Sequence, residues 1–462
     1  MERMDRGPAE RFDAAVIGAG AVGCAVARRL TLAGLRVVLL ERGADILSGA
    51  SRANSAILHT GFDAPPGSLE LACVRAGHRE YRRIAGRFGL PLLETGAMVV
   101  AWTEAEAARL PALAETARAN GVTDVAPLSP AAVARREPGL APTRGALLVP
   151  GEAVIDPWSP FLAFVLSAMR AGLAVRRGCA VTGGAFEGGV WRLETEQGPV
   201  RAARVVNCAG LHGDRMEALL LGRASFEIRP RKGQFVVYDK PAAGLLRTIV
   251  LPVPSERTKG VVLTRTAFGN LLVGPTAEEQ EDRDGAGVTR EALSELMRAG
   301  ERMLPGLAGM PVNAAYAGLR PATEEKAYRI RHEPERGWLT LGGIRSTGMT
   351  GALGLAAHAA ALLGVGAEGA EDALPMPVLA EAGERDWRRP GNGGIVCHCE
   401  MATLREVEAA LGGPLPARDL AGLKRRTRCT MGRCQGFNCL GRLAEITAGR
   451  LAHPLVAGAE AA

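Results

Sequence analysis

Asp13-Ala-Ala-Val-Ile-Gly18-Ala-Gly20-Ala-Val-Gly23 runs an apolar stretch straight into Gly-x-Gly-x-x-Gly. An Ala-rich stretch follows from Cys24 to Ala33, closed by Gly34, and a second apolar run, Arg36-Val-Val-Leu-Leu40, ends at Glu41. Strand, turn, helix and strand make one complete βαβ unit of the dinucleotide-binding kind. Gly18 permits the turn, Gly20 lets the backbone approach a pyrophosphate, and Gly23 allows helix and strand to pack closely. The helix N-terminus offers N–H groups and a positive dipole end to the phosphates. Glu41, followed by Arg42, stands where an acidic residue grips a ribose 2′-hydroxyl, which favours an unphosphorylated adenosine half.

Working outward, 462 residues exceed one compact core, so two or three domains are expected. Hydrophobic and charged fractions of 47% and 23% are ordinary for a soluble α/β protein. The net charge of +7 comes almost wholly from arginine, scattered among acids. No stripe with interleaved aromatics accompanies it, which argues against nucleic acid. Residues 1–12 are charged and lack a secretory core, so no signal peptide is expected. Thr347 to Gly366, Ala/Gly-rich and carrying His358, reads as a buried core helix and not as a membrane span. A cytoplasmic setting follows, in which clustered thiols are metal ligands more often than disulfides. Cys24, Cys73, Cys179 and Cys208 are isolated and read as small core residues.

Three later segments decide between NAD and FAD. Gly49-Ala-Ser51-Arg-Ala-Asn54-Ser55-Ala-Ile-Leu-His59-Thr-Gly61 is a small, hydroxyl-rich loop able to supply donors to a flavin phosphate and ring. Ala203-Arg-Val-Val-Asn207-Cys-Ala209-Gly210 is a buried strand ending in small residues, as suits the side of a nucleotide. Leu341-Gly-Gly343-Ile-Arg-Ser-Thr-Gly348-Met349-Thr350-Gly is a turn opening a helix, whose dipole would stabilise negative charge at the pyrimidine edge of a reduced flavin. FAD is therefore the expected cofactor.

Residues from about 216 to 315 alternate apolar runs with turns, which predicts an antiparallel sheet inserted into the nucleotide domain. Thr289 to Leu304 reads as a helix stopped by Pro305. Oxidising an alcohol at a flavin needs an anion clamp, a base and the hydride acceptor. His59 follows the flavin loop, and histidine is the side-chain type suited to proton transfer; it is either the base or a hydrogen-bonding partner of flavin or backbone. His212 is a second choice. Lys259 is either an anion contact or a solvated loop lysine.

The last seventy residues hold Cys397, Cys399, Cys429, Cys434 and Cys439. Arg385 to Asn392 reads as a linker into this tail, and Thr403-Leu-Arg-Glu406 as a capping box on a short helix. Lys424 to Arg428 would add positive charge beside anionic sulfurs. Four thiolates suit structural zinc or an iron–sulfur cluster, and the tight Cys-x-Cys pair suits cluster iron better.

The chain resembles flavoproteins of D-amino-acid-oxidase type, and within them the FAD-dependent glycerol-3-phosphate dehydrogenases. Ser51–Gly61, Thr258-Lys-Gly260, Gly269–Thr276, Ala317-Gly-Leu-Arg320-Pro321 and the tail carry the likeness. The Asn54-to-His59 loop and Pro66–Leu69 also resemble L-2-hydroxyglutarate dehydrogenases. Met431-Gly-Arg-Cys-Gln-Gly resembles the bacterioferritin-associated-ferredoxin-like [2Fe–2S] domain. The resemblance implies a Rossmann-type FAD domain within residues 1–384 (parts near 12–90, 150–215 and 316–370). It also implies a substrate sheet near 216–315, a linker at 385–392, and a helical cluster domain at 393–462. It implies Arg320 as substrate clamp and Cys397, Cys399, Cys434 and Cys439 as cluster ligands, with Cys429 spare. Arg265 and Thr347 stand where the family commonly has proline, so Arg265 is either a further charge on the substrate or a solvent-facing residue. The expected activity is oxidation of sn-glycerol 3-phosphate to dihydroxyacetone phosphate, with electrons leaving through the cluster to a partner flavoprotein or quinone-linked subunit. That partner would hold the chain at the membrane periphery. Alternatives are L-2-hydroxyglutarate or an amino or imino acid such as hydroxyproline on the same scaffold, an electron-transfer subunit that oxidises nothing itself, or a zinc-stabilised oxidase.

Overall fold

Val16 to Ile17 and Leu39 to Leu40 are buried on both faces, as parallel strands covered by helices must be. The computed structural model describes residues 10–254 and 260–456. Arg11–Ile17 pairs in parallel with Val37–Glu41 on one side and Val200–Asn207 on the other. Ala174–Arg177 and Trp338–Gly342 extend the parallel core outward. Between the first two strands lies the helix Ala21–Leu32, entered at Gly20. A Cβ on Gly23 would lie 1.8 Å from the Gly18 carbonyl oxygen, so the close packing predicted there admits glycine alone. Gly348–Leu362, the Ala-rich segment, is a largely buried helix packed against Ala21–Leu32 and Leu69–Phe88. No helix among the described residues is long and apolar enough to cross a membrane.

The second sheet has nine strands. It contains the expected runs, Ile228–Tyr238, Val262–Arg265 and Leu271–Gly274, and the helix Arg290–Met303, capped by Thr289. It is wider than residues 216–315. Ala97–Ala101, Ala126–Leu128 and Gly145–Val149 join it from the front of the chain. Val312–Thr323 belongs to it throughout, so Arg320 stands in the sheet and not in the flavin unit, because this strand pairs with Ile228–Tyr238 from end to end. The sheet is also not purely antiparallel: Ile249–Pro252 runs parallel to Ala97–Ala101. A small third sheet, Ile57–Leu58, Ala153–Ile155 and Leu92–Leu93, ties the flavin loop to both units.

The tail forms its own small core around Val396, Val407, Leu423 and Leu443. The predicted capping box is present at Thr403 and Glu406. The segment expected as a linker is bound down: Arg385 is buried and donates to the Leu379 and Glu400 carbonyls, and Asp386 accepts from the Thr403 hydroxyl and Arg405.

The basic run of Leu420–Thr427 faces the flavin unit more than the cysteines. Asp45, fully buried, accepts from Arg177 Nη1 at 3.1 Å and from Arg426 Nη2 at 3.0 Å. Arg425 donates to the Ile46 carbonyl at 2.9 Å, and Arg428 pairs with buried Glu400 while lying 3.8 Å over the Phe268 ring. Only Lys424 keeps the expected place, close enough to feel the charge of Cys439. The reason is electrostatic: a buried carboxylate recruits cations, and Asp45 is the deepest one within reach. Asp45→Ala is expected to strand these guanidinium groups and destabilise the fold by about 3–5 kcal/mol. Thermal unfolding would register the loss, and limited proteolysis would show new cutting near residues 385–392.

Candidate active site

The fingerprint turn forms at the carboxyl ends of the parallel strands, where this architecture places nucleotides. Gly18 takes φ +98°, and its N–H donates to the Leu40 carbonyl at 2.8 Å. Glu41 closes the neighbouring strand, buried, and accepts the Ala19 N–H at 2.8 Å and the Gly43 N–H at 2.7 Å. Ser51 Oγ accepts the Ala21 N–H at 2.9 Å, drawing the hydroxyl-rich loop onto the helix start. Asn207 ends alongside Ile17, which brings Ala209 and Gly210 to the same edge. Gly343 lies in the turn after Trp338–Gly342, and Gly348, Met349 and Thr350 open the next helix. These are the backbone donors, tight glycines and ribose-side carboxylate that an FAD needs, so the residues fit that cofactor. Arg42, the next residue after Glu41, is exposed and pairs with Asp284, as does His212 at 3.2 Å. His212 is thereby occupied away from the base position.

His59 sits between the flavin loop and the small sheet. Its N–H donates to Thr350 Oγ1 at 3.0 Å, and its Nδ1 lies 2.9 Å from Glu152 Oε2. Glu152 is fully buried and also accepts the Thr60 N–H at 2.6 Å and the Thr60 hydroxyl at 2.8 Å. A carboxylate fixed this way holds the imidazole ring and directs Nδ1–H to itself, leaving Nε2 as the nitrogen that can take a proton. The sequence reading missed Glu152. Its signal was one acid inside the apolar stretch Leu147-Leu-Val-Pro-Gly-Glu-Ala-Val-Ile155.

Over the loop runs Val312–Thr323. Tyr316 donates its hydroxyl to the Asn54 carbonyl at 2.7 Å, and a Cβ on Gly318 would lie 2.7 Å from Ala53 Cβ. Arg320 shares their face, since side chains alternate along a strand. Its guanidinium lies across Gly233, with Nη2 3.5 Å from the Thr276 carbonyl, and Nη1 is buried with no partner. Burial, helped by the charge of Arg231, pulls Arg320 down to about 10. A desolvated guanidinium is stabilised by an anion within reach of its N–H groups.

Arg265 is not brought to this place. It pairs with Leu271, at the end of its hairpin opposite Gly274 and Thr276, and lines an open cleft with Leu92, Arg136, Arg247 and Thr248. Lys259 lies outside the described residues.

The five tail cysteines gather at one spot. Cys397 is within hydrogen-bonding reach of Cys429 and Cys439, and Cys399 of Cys434. Amide N–H groups of Glu400 and Thr430 reach Cys397, and those of Asn438 and Gly436 reach Cys434. The hydrogen bond from Cys429 is the main cause that holds Cys397 below the usual thiol range. Soft thiolate donors ringed by amides fit an anionic iron–sulfur group chemically. As placed, however, no group of three or more His, Cys, Asp or Glu side chains is set to hold a metal ion among the described residues.

The family described as FAD dependent oxidoreductase matches residues 13–362. A glycerol 3-phosphate dehydrogenase of Caloramator mitchellensis is 32% identical, covering 95% of this chain and 94% of its own. In Escherichia coli, one component of the anaerobic glycerol-3-phosphate dehydrogenase is 26% identical, covering 94% of this chain and 87% of its own. The solved structure of L-alpha-glycerophosphate oxidase from Mycoplasma pneumoniae with FAD bound superposes with a TM-score of 0.73 at 28% identity, covering 78% of this chain and 97% of that one.

Proposed function

The chain belongs to the FAD-dependent oxidoreductase family, and from that premise we propose that it oxidises sn-glycerol 3-phosphate to dihydroxyacetone phosphate. The observation that carries the substrate class is the Arg320 guanidinium on the strand above the flavin loop, whose buried Nη1 has no partner among the described residues. Its planar fork matches a phosphate. His59 Nε2 takes the hydroxyl proton while Glu152 keeps the ring oriented and balances the charge that arrives. The chemistry that a bound FAD would supply is acceptance of the hydride from the carbinol carbon. The glycines, Glu41 and Ser51 would hold the cofactor, and Thr350 fixes the His59 backbone.

The purified chain under anaerobic conditions provides the test. Bleaching of the flavin band on adding glycerol 3-phosphate is the expected result. A flavin untouched by this alcohol but bleached by L-2-hydroxyglutarate or hydroxyproline would replace the substrate and keep the clamp.

Glu152→Gln keeps the shape of the side chain and removes the charge. We expect kcat to fall roughly 10–100-fold with KM and FAD content nearly unchanged. A fall in FAD content or in thermal stability alone would mark Glu152 as structural.

For the tail we propose a [2Fe–2S] cluster on Cys397, Cys399, Cys434 and Cys439, whose electron acceptor is a partner flavoprotein or quinone-linked subunit. Five clustered thiols with amides turned toward them support this reading. So does the likeness to a relative that is named as one part of a larger enzyme. Iron and acid-labile sulfide in the purified protein, lost in Cys434→Ser while FAD stays, are the expected findings. Zinc in place of iron would overturn the cluster.

A further inference from the structure

The cleft that Arg265 lines measures about 640 Å³, within the range of small-molecule sites. Strand pairing builds it. Val250 faces Leu263 in an antiparallel pair, which carries Thr248 to the level of Arg265. Ile249 pairs in parallel with Ala97, which carries Thr95 to the level of Arg247. Arg136 closes the helix Pro130–Arg136 and donates from Nε to the Thr248 hydroxyl at 3.3 Å. Leu92 and Leu93 add an apolar wall. The backbone beneath is fixed, because buried Glu137 accepts the Arg247 N–H at 3.0 Å and the Thr248 N–H at 2.6 Å.

The charges here do not cancel. Glu94, the acid in the cleft lining, is held by Arg82 at 2.6 Å. Glu137 faces backbone amides. No carboxylate among the described residues pairs with Arg136, Arg247 or Arg265. With Arg82 included, four guanidinium groups meet two carboxylates, a surplus of two positive charges. Arg265 Nε and Thr95 Oγ1 are buried and find no hydrogen-bond partner among the described residues. A cleft lined by one sign of charge concentrates counter-ions.

We propose that this cleft is a second anion site, which binds a small soluble phosphate monoester by its phosphate group. Such a group carries about −1.5 to −2 charges at neutral pH, enough to balance the surplus, whereas a carboxylate balances half of it. Guanidinium forks match phosphate oxygens, and the threonine hydroxyls can donate to them as well. Leu92 and Leu93 offer a surface to the carbon body of the ester. The basic groups form one compact cleft and no stripe, which disfavours a nucleic-acid backbone. The site is distinct from the proposed clamp. Arg265 pairs with Leu271, while Gly274, close to Thr276 and Arg320, pairs with Val262 at the other end of the hairpin, roughly 10 Å along the strand.

The test uses the full-length holoenzyme in buffer free of phosphate and sulfate. Phenyl phosphate is the probe, and isothermal titration calorimetry reads its binding. A site should persist in Arg320→Met, where the clamp cannot take the probe, and should weaken as salt rises. Arg265→Gln and Arg247→Gln should each weaken it at least tenfold, as the loss of a charge-assisted hydrogen bond does. Arg247 is exposed, so its variant still decides the matter where Arg265→Gln fails to fold. Flavin bleaching by glycerol 3-phosphate should stay as in the wild type in both. Inorganic phosphate should bind more weakly than phenyl phosphate, because it leaves the leucine wall uncovered. Binding unchanged in both variants, or abolished by Arg320→Met alone, overturns the proposal. So does benzoate that binds as tightly as phenyl phosphate. Arg265-dependent pelleting with phosphatidate vesicles, without binding of phenyl phosphate, would overturn the soluble ligand. Flavin that glycerol 3-phosphate fails to bleach overturns the substrate reading instead, and the binding comparison still decides the cleft.

Discussion

Replacing Arg320 with methionine is expected to lower kcat/KM for glycerol 3-phosphate by roughly 10²–10³-fold, about 3–4 kcal/mol of transition-state binding. Methionine fills most of the same volume, so the loss reports the charge and its paired hydrogen bonds. The companion measurement is thermal stability without substrate, and its expected direction is upward. The folded protein holds this guanidinium below its ordinary value, at about 10, because burial disfavours its charge. The charged form therefore opposes folding at every pH below that value, and the opposition fades as pH rises through it. Removing the guanidinium removes the opposition, and a bound anion would do the same. Steady-state kinetics with a melting curve separate the cases. Lower kcat/KM with a higher Tm identifies a clamp, whereas lower values of both would mean that Arg320 holds the sheet together. Arg320→Lys keeps a charge without the fork and should recover only part of the loss.

His59→Gln is expected to slow flavin reduction by about 10²–10⁴-fold, the range for a positioned proton acceptor. Glutamine keeps an amide near Glu152 but offers no nitrogen that takes a proton. Stopped-flow absorbance would show a slow bleach with a substrate dissociation constant close to that of the wild type. A rate unchanged within a few-fold would return His59 to a hydrogen-bonding role and pass the proton to solvent.

What was legible in the sequence follows from the range of the interactions involved. The strand–turn–helix–strand of residues 11–41 is local, since its glycines and Glu41 act within one chain segment, and it is present as read. The strands after Ile228 were legible by alternation, but Ala97–Ala101 was not, because its pairing with Ile249–Pro252 across more than a hundred residues leaves no periodic trace, and Gly145–Val149 joins the sheet only through Ala97–Ala101. Glu152 escaped for the same reason: its meaning depends on His59, 93 residues earlier. The basic run at Lys424–Arg428 was visible, and its partner Asp45 was not, so a docking contact passed for a neighbour of the sulfurs. Which end of its hairpin Arg265 occupies was not legible, because the two ends lie only a few residues apart in sequence.

The strand Val312–Thr323 touches the tail at Asn313, where the side chain donates to the Met431 carbonyl, and ends near the clamp at Arg320. Seven residues of extended chain separate the two, a span of roughly 23 Å. That span is counted in peptide units and owes nothing to how firmly the tail is seated. The strand is a ruler between the proposed substrate clamp and the place where the sulfurs gather. Its markings cannot be moved singly, because one inserted residue would turn the guanidinium to the opposite face while Asn313 kept hold of the tail. Point substitutions can tune either end, but any change in chain length here must come in pairs.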